Sequence, residues 1–306
     1  MTRRPDAPAI DHKLLAGAAW GLTAALVAAG WLVFTRMGIG QTLTGHDLVA
    51  LRFGVAGVIL LPVLMRGGNS RQPISWRIIA LLVIGAGFPY ALATVYGLHY
   101  APIAHAGALQ PGTIPLFTVL LSILFLGETL HRGQVGGVLL IVAGSGLIGG
   151  IEIINGGGQQ AIGHGLFITA AILWSVYTIA MRRSGIAPLR ATAVVSVVSM
   201  IIYVPVYPFI FGSNIPDAPW GELLFQAAYQ GLLAGILMYY AFNRAVALLG
   251  GATAAVFVGL VPALATLLAI PVLGEIPSGS DFAGIIAVTL GAIWATRPQR
   301  QAVPAS

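Results

Sequence analysis

The chain has 306 residues, of which 58% are hydrophobic and only 8% are charged, whereas a soluble globular domain carries about 25% charged residues. Such a chain cannot cover itself with polar groups in water, so the composition excludes a soluble protein and predicts a surface that faces lipid. The chain contains no cysteine, which excludes disulfides, Cys-ligated metal sites and thiol catalysis, and it has a net charge of +6.

Ten apolar runs follow one another along the chain, separated by polar residues, glycine and proline. The runs are continuous rather than alternating, which favours helices over the strands of a membrane barrel. The sequence therefore predicts an all-α polytopic membrane protein with ten transmembrane helices. The predicted spans are 14–35, 48–65, 78–98, 103–126, 135–151, 162–181, 191–211, 223–249, 252–273 and 282–295.

Lysine and arginine divide unevenly between the two sets of loops. If the N-terminus is cytoplasmic, 13 of the 15 basic residues fall inside, Arg36 alone falls outside, and Arg52 lies within the second span. Cytoplasmic loops carry such an excess of positive charge, so the tails 1–13 and 297–306 are both expected in the cytoplasm. We expect a multi-pass protein of the bacterial cytoplasmic (inner) membrane whose positive charge reflects topology, with no nucleic-acid partner.

The orientation makes a direct prediction for reporter tags. A tag at either terminus should be detected in the cytoplasm, and a tag between Gly156 and Gln160 should be detected outside, because five spans precede that loop and five follow it. Labelling of intact and permeabilised cells with an impermeant reagent measures this. A C-terminal tag found outside would contradict the ten-span arrangement.

The two halves of the chain share residues at a fixed offset of 147 positions. Shared prolines and a shared Gly-Glu dipeptide, in order and at one offset, are unlikely to arise by chance. The matched pairs are Gly112 with Gly259, Pro115 with Pro262, and Gly127-Glu128 with Gly274-Glu275. Each half, 14–151 and 162–296, holds five spans, so the second must enter the membrane upside down. Two inverted five-helix repeats of this kind are typical of transporters.

The whole pattern resembles the drug/metabolite transporter superfamily, and specifically its EamA family. The resemblance rests on the five-plus-five duplication, on the Pro-then-Gly-Glu pattern at the end of the fourth span of each repeat, and on the Arg-bearing second span ALRFGVAGVILLPVL at 50–64. It covers roughly residues 14–296. It implies export or exchange of small metabolites, often amino acids, through a central cavity lined by both halves.

Within this family the chain is most similar to bacterial amino-acid exporters, including exporters of aromatic amino acids. The motifs do not fix the substrate, so nucleosides, drugs and sugar phosphates stay open as alternatives. No cofactor is implied, and the expected partners are a small-molecule substrate and the lipid bilayer.

Two spans carry matching proline interruptions. Pro115 and Pro262 lie at mid-span, three residues after Gly112 and Gly259 respectively. A mid-helix proline removes one backbone hydrogen bond and displaces a carbonyl, and groups freed in this way can hold water or substrate if they face a cavity. We expect these four residues to break the helices and to take part in gating, although a kink that only shapes packing stays open.

Several aromatic and polar side chains lie deep within the predicted spans. A hydroxyl or amide at that depth needs a partner, either another side chain or water in a cavity. As a group they suit a cavity for a small amphipathic or polar-aromatic solute, although each alone is also a common packing residue. The predicted substrate-binding residues are Trp31, Tyr90, Tyr96, His99, Gln110, Trp174, Tyr177, Tyr239 and Asn243.

Charged residues are nearly absent from the spans. No acidic residue lies near the middle of any predicted span, so we expect facilitated diffusion or exchange rather than proton coupling. Apart from Arg244, near the cytoplasmic end of the eighth span, Arg52 is the only cation inside an apolar run, and we expect it to reach the membrane surface or to bond neighbouring carbonyls.

A membrane-embedded enzyme is the main alternative class, and a channel is another. Prenyl transfer would need clustered aspartates and zinc proteolysis would need His-Glu-x-x-His, and the sequence contains neither. We therefore expect a protein that is not an enzyme and holds no metal. Glycines on the fifth and tenth spans predict close helix packing, and they leave a monomer or a homodimer open.

Overall fold

The computed structural model describes residues 12–66, 73–127, 129, 132–154, 158–249 and 251–295. Within these residues the regular structure is helical and contains no strand, which confirms the all-α prediction. The predicted tails lie outside the described residues, apart from His12 and Lys13. The helices are α1 (His12–Ile39), α2 (Gly45–Met65), α3 (Trp76–Ala86), α4 (Phe88–Tyr100), α5 (Ile103–Leu109), α6 (Ile114–Leu126), α7 (Arg132–Ile154), α8 (Gly158–Ser184), α9 (Pro188–Tyr203), α10 (Tyr207–Phe211), α11 (Trp220–Gln226), α12 (Met238–Leu249), α13 (Gly251–Gly259), α14 (Val261–Leu273) and α15 (Gly279–Ala295), with a π-helical segment (Ala227–Leu237) between α11 and α12.

The helices include six stretches long and apolar enough to cross a membrane. These are His12–Ile39, Gly45–Met65, Trp76–Tyr100, Ile103–Leu126, Gly158–Ser184 and Trp220–Leu249. Shorter apolar helices of 10–17 residues cover Gln134–Ile148, Pro188–Tyr203, Val261–Leu273 and Gly279–Ala295. The chain is therefore a multi-pass membrane protein. Ten crossings stay a prediction, because these four apolar helices are shorter than a full membrane span.

The first helices of the two halves run in opposite directions. We call the end of the bundle where α1 begins the N-terminal side, and the end where α1 finishes, at Ile39, the far side. Near its start, α8 places Gly163 against Ala101, which follows α4 on the far side. Near its end, Arg182 donates a hydrogen bond to Ser122 Oγ at 3.0 Å, on the N-terminal side. This antiparallel arrangement is the one that an inverted repeat requires.

Helix packing follows the same symmetry. In the first half α1 packs on α12, and in the second half the equivalent helix α8 packs on α3 and α4. Three further pairs join equivalent spans across the halves, namely α2 with α9, α5 of the fourth span with α14 of the ninth, and α7 with α15. The halves therefore interlock, and the buried core lies along the seam between them.

Glycines allow the closest of these contacts, between α7 and α15. A Cβ on Gly144 would lie 2.8 Å from the carbonyl oxygen of Gly284, and a Cβ on Gly291 would lie 2.8 Å from that of Gly137. Any side chain at these positions would force the helices apart. This face is occupied within one chain, so these four glycines are not available to a second copy.

The close contact between α7 and α15 predicts that substitutions of two glycines on α7 differ strongly in their effect on stability. Gly144→Leu should destabilise the protein by at least about 1–3 kcal/mol, the typical cost of overpacking a close contact. Gly146→Leu is the matched control, because a Cβ there has nothing within 4 Å. Thermal unfolding of the purified protein in detergent measures both. Equal unfolding temperatures for the two variants would contradict this packing.

Candidate functional site

A cavity of about 740 Å³, including its open mouth, lies at the seam between the two halves. Mostly apolar cavities with a few polar groups are typical of small-molecule sites. The first half contributes α1, α4 and the turn after α5, and the second half contributes α8, α12, α13 and α14. Most of its lining is aromatic or aliphatic, and Gln110 supplies an amide. The lining includes Trp31, Tyr90, Gln110, Trp174, Tyr239 and Phe257.

Four aromatic rings form one continuous wall of this cavity. Tyr90 stacks on Trp31 with ring centroids 5.7 Å apart and lies 5.0 Å from Trp174. Trp174 in turn stacks on Tyr239 at 5.8 Å. These separations are those of favourable aromatic pairs, so the wall can accept a further ring from a solute.

Tyr90 reaches the cavity because the third span is broken just before it. α3 ends and α4 begins at Gly87, where a Cβ would lie 2.5 Å from Ser199 Oγ. Tyr90 follows in the first turn of α4, and its hydroxyl accepts a hydrogen bond from Gln110 Nε2 at 2.7 Å. Gln110 is 1% exposed and its Oε1 has no partner among the described residues. The cavity wall therefore offers one unused hydrogen-bond acceptor.

The fourth and ninth spans are both interrupted where the repeat places its prolines. α5 ends at Leu109 and α6 starts at Ile114, while α13 ends at Gly259 and α14 starts at Val261. Pro115 and Pro262 lie in the first turn of the new helices, where a backbone N–H is not needed. They therefore begin helices rather than kink continuous ones, which differs from the mechanism expected from the sequence.

The two interruptions also meet at the seam. A Cβ on Gly107, near the end of α5, would lie 3.1 Å from the Cα of Pro262, and a Cβ on Gly112 would collide with Val288 of α15. Backbone from both halves thus approaches closely beside the cavity. A gating role for Gly112, Pro115, Gly259 and Pro262 stays a prediction.

Five of the predicted binding residues line this cavity, namely Trp31, Tyr90, Gln110, Trp174 and Tyr239. Tyr177 lies next to Trp174, with ring centroids 5.3 Å apart, and lines a smaller neighbouring pocket.

Three predicted residues lie away from the cavity. Tyr96 is exposed and its hydroxyl lies 3.0 Å from His46 Nε2, while His99 is exposed beside Tyr100. Six and nine residues after Tyr90, these two side chains are rotated by about 120° and about 180° from it around α4, away from the cavity. Asn243 is half-buried on α12, one turn beyond Tyr239, and is not among the lining residues.

Arg52 behaves differently from the expectation. It is 2% exposed, and Nη1 and Nη2 have no hydrogen-bond partner among the described residues. Its guanidinium lies over the ring of Trp31, 4.5 Å from the centroid. The prediction that Arg52 reaches the surface or bonds carbonyls was wrong. The reason is that the capped start of α2, at Thr44, places it two turns inside the helix.

A small pocket of about 270 Å³ surrounds the Arg52 guanidinium. Hydroxyl groups and aromatic rings from the second half complete it. Tyr239 lines both this pocket and the larger cavity, so the two are neighbours. The lining includes Arg52, Phe53, Tyr177, Thr192, Ser196 and Tyr239.

Polar contacts join the two halves at the far side. Glu275, which follows α14, accepts a hydrogen bond from the backbone N–H of Ile103 at 2.8 Å and one from Arg36 Nε at 3.3 Å. Arg36 also donates to the carbonyl of Leu98. A second contact runs through His105, whose Nδ1 lies 2.9 Å from His164 Nε2 and whose Nε2 lies 3.1 Å from Asp281 Oδ1.

The repeated Gly-Glu dipeptide positions the first of these contacts. Gly274 ends α14 with a φ of 70°, and Gly127 ends α6 with a φ of 68°, a backbone conformation that favours glycine. The turn brings Glu275 back onto the first half. Its counterpart, Glu128, lies outside the described residues.

The model of the EamA-like transporter family matches residues 15–150 and 161–297. Both repeats are therefore covered. The chain belongs to the EamA family of membrane transporters. Both the family resemblance and the two-repeat architecture are thereby confirmed, and a family of transporters points away from an enzyme.

Individual relatives are more distant. An uncharacterized transporter of Bacillus subtilis, YyaM, is 26% identical over 81% of this chain and 83% of its own length. A probable terminal-alkyne amino-acid exporter of Streptantibioticus cattleyicolor is 24% identical over 86% of this chain and 88% of its own length. The aromatic amino acid exporter YddG of Ancylobacter novellus is 32% identical over 57% of this chain and 65% of its own length. A solved structure with a TM-score of 0.64 and 24% identity covers 91% of this chain and 96% of its own, which supports the fold alone.

Proposed function

We propose that this EamA transporter exports or exchanges aromatic and other large apolar amino acids across the bacterial cytoplasmic membrane. The observation that carries the proposal is the continuous wall of four aromatic rings in a cavity that also offers an amide oxygen. Such a site suits a solute with an apolar body and a polar head. Two relatives of this chain are named amino-acid exporters, which supports the same solute class.

The proposed mechanism is alternating access. On the expected topology the far side faces the outside, and the contacts of Glu275 and His105 hold the halves together there. The lining residues Tyr239 and Phe257 lie in the halves of their spans nearer the N-terminal side, because Tyr239 is ten residues from the end of α12 at Leu249 and Phe257 is six residues from the start of α13 at Gly251. We therefore interpret this conformation as closed to the outside. If the two inverted repeats exchanged their conformations, the far side would open and the N-terminal side would close.

Uptake into proteoliposomes tests the proposed solute class. We expect saturable uptake of labelled L-phenylalanine, L-tryptophan and L-leucine, and uptake no faster than in protein-free liposomes for L-aspartate, uridine and a hexose phosphate. If uridine or the hexose phosphate is taken up faster than the amino acids, the proposed solute class is wrong. The protein would then be a transporter of nucleosides or of sugar phosphates.

Transport is proposed to follow the gradient of the solute itself. The six acidic residues within the described ranges (Asp47, Glu152, Asp217, Glu222, Glu275 and Asp281) are all at far-side positions of the chain, so none can serve both faces of the membrane. With equal solute on both sides and the voltage held at zero, a pH gradient should produce no accumulation. Accumulation that a proton carrier abolishes would show coupling, and His105 would then be the first residue to replace.

A further inference from the structure

Arg52 is a buried cation without a counter-ion. Among the described residues, its Nη1 and Nη2 form no hydrogen bond of normal geometry, although the Tyr239 hydroxyl lies near the guanidinium, and no carboxylate pairs with it. The acidic residue nearest along α2 is Asp47, which is already saturated. Its carboxylate accepts hydrogen bonds from Thr44, Tyr207 and Ser213, and from the backbone N–H of Asn214.

The contact with Trp31 does not satisfy this charge. A cation over an aromatic face is stabilised by the ring. The N–H groups of the guanidinium, however, point outward in its own plane, and the ring below it does not accept their hydrogen bonds. Two nitrogen donors remain unused inside a membrane bundle, where unpaired charges are costly and commonly mark sites of function. A ligand that supplies negative charge would remove that cost.

The surroundings define the chemistry of this ligand. A guanidinium presents parallel N–H groups that match the two oxygens of a carboxylate. Thr192 and Ser196 line the same small pocket, and their hydroxyls can donate further hydrogen bonds. This pocket and the larger cavity share Tyr239 in their linings, and the Trp31 ring under the guanidinium also lines the larger cavity. A carboxylate can therefore lie beside Arg52 while the body of the solute lies in the larger cavity.

The opposite polarity is present on the other side of Tyr90. Gln110 Oε1 is buried without a partner and is an acceptor for an ammonium group. Tyr90 connects the two groups, because it accepts a hydrogen bond from Gln110 and stacks on Trp31, the ring that the Arg52 guanidinium contacts. The unused donors of Arg52 and the unused acceptor of Gln110 therefore lie close to the same aromatic pair.

We infer that Arg52 is the anion-binding residue of this transporter and that its solutes are recognised by a carboxylate. The inference rests on the proposed function, because it requires the cavity to hold a solute. It adds a specific requirement, which is that the apolar body alone is not enough for binding.

Matched ligands test this requirement on the wild-type protein. L-phenylalanine and L-phenylalaninamide share the ring and the ammonium group, and the amide lacks the carboxylate. Thermal stabilisation of the purified protein in nanodiscs measures both affinities. We expect L-phenylalanine to bind at least tenfold more tightly than the amide. Equal affinities would overturn the inference, and this comparison needs no variant that could fail to fold.

Variants of Arg52 then test whether this residue causes the preference for L-phenylalanine over its amide. Arg52→Gln should weaken L-phenylalanine binding at least tenfold and abolish discrimination against the amide, and Arg52→Lys should restore part of it, because the charge returns without the planar fork. Arg244→Gln removes an exposed arginine and is the control. Wild-type affinity in Arg52→Gln would overturn the inference.

Two further ligands separate this inference from the proposed function. If no amino acid binds but phenylacetate stabilises the wild type and not Arg52→Gln, the amino-acid function fails and the carboxylate site stands. If sodium chloride alone stabilises the wild type as much as phenylacetate does, Arg52 binds anions without recognising a carboxylate, and the inference is overturned.

Discussion

Replacing Tyr239 with alanine should reduce uptake of L-phenylalanine by roughly 30-fold in proteoliposomes. Tyr239 is the side chain that lines both pockets, and it stacks on Trp174 at 5.8 Å. Removing a central aromatic contact of a binding site typically costs about 2 kcal/mol or more, which corresponds to that factor. Trp174→Ala should have a similar effect, because the same wall is broken.

The neighbouring tyrosine provides the control. Tyr240 is 48% exposed and contacts Trp20 instead of the cavity wall, so Tyr240→Ala should transport at close to the wild-type rate. Trp220→Ala, at a position 76% exposed, should behave like Tyr240→Ala. If all four variants lose transport equally at matched protein amounts, the aromatic wall is not the solute site.

Replacing Glu275 with glutamine should open the far side. The substitution removes the charge that holds Arg36 of the first half and weakens the hydrogen bond to the N–H of Ile103. Hydrogen bonds to charged groups contribute about 1.5–3 kcal/mol, although the partial exposure of the Arg36 pair reduces its share. A change of about 1–3 kcal/mol shifts the ratio of the two conformations by roughly 5- to 150-fold.

A single cysteine reports this shift cleanly, because the natural chain contains none. Ala28 lines the cavity, so an impermeant maleimide added from outside should label Ala28→Cys slowly in the wild-type background and many times faster with Glu275→Gln. Asp217→Asn is the control, since Asp217 is exposed on the same side. Unchanged labelling with Glu275→Gln would show that these contacts do not close the cavity.

The sequence predicted the architecture well because its signals are periodic and repeated. Continuous apolar runs with few charges indicate helices, and the Gly and Pro matches between the halves indicate the inverted repeat. The helix interruptions near Pro115 and Pro262 fall where the repeat places them. The effects of Gly and Pro on the backbone are local, so they can be predicted without knowledge of the tertiary structure.

Side-chain placement was predicted less well, because depth along a span does not determine which face a residue occupies. Tyr90 and Tyr96 lie on one helix, yet only Tyr90 lines the cavity, since α4 starts anew at Gly87 and this start sets its rotation. Arg52 was misplaced for a related reason, as the capping residue Thr44 lengthens α2 beyond its apolar run.

The contacts at the far side could not be predicted from one sequence. Glu275 bonds residues 172 and 239 positions away, and no local pattern indicates such a pairing. His105 likewise meets Asp281 only because α5 and α15 pack together. The proposed alternating access depends on long-range contacts of this kind, and these become visible only in the folded chain.

Counterflow tests most directly the claim that this cavity carries amino acids by alternating access. Proteoliposomes are loaded with unlabelled L-phenylalanine and diluted into a medium with a trace of labelled L-phenylalanine. An alternating carrier should bring the labelled solute transiently above its external concentration, before it falls as the internal pool drains. A smooth rise to the external concentration with no overshoot would contradict the account, because it would indicate a channel.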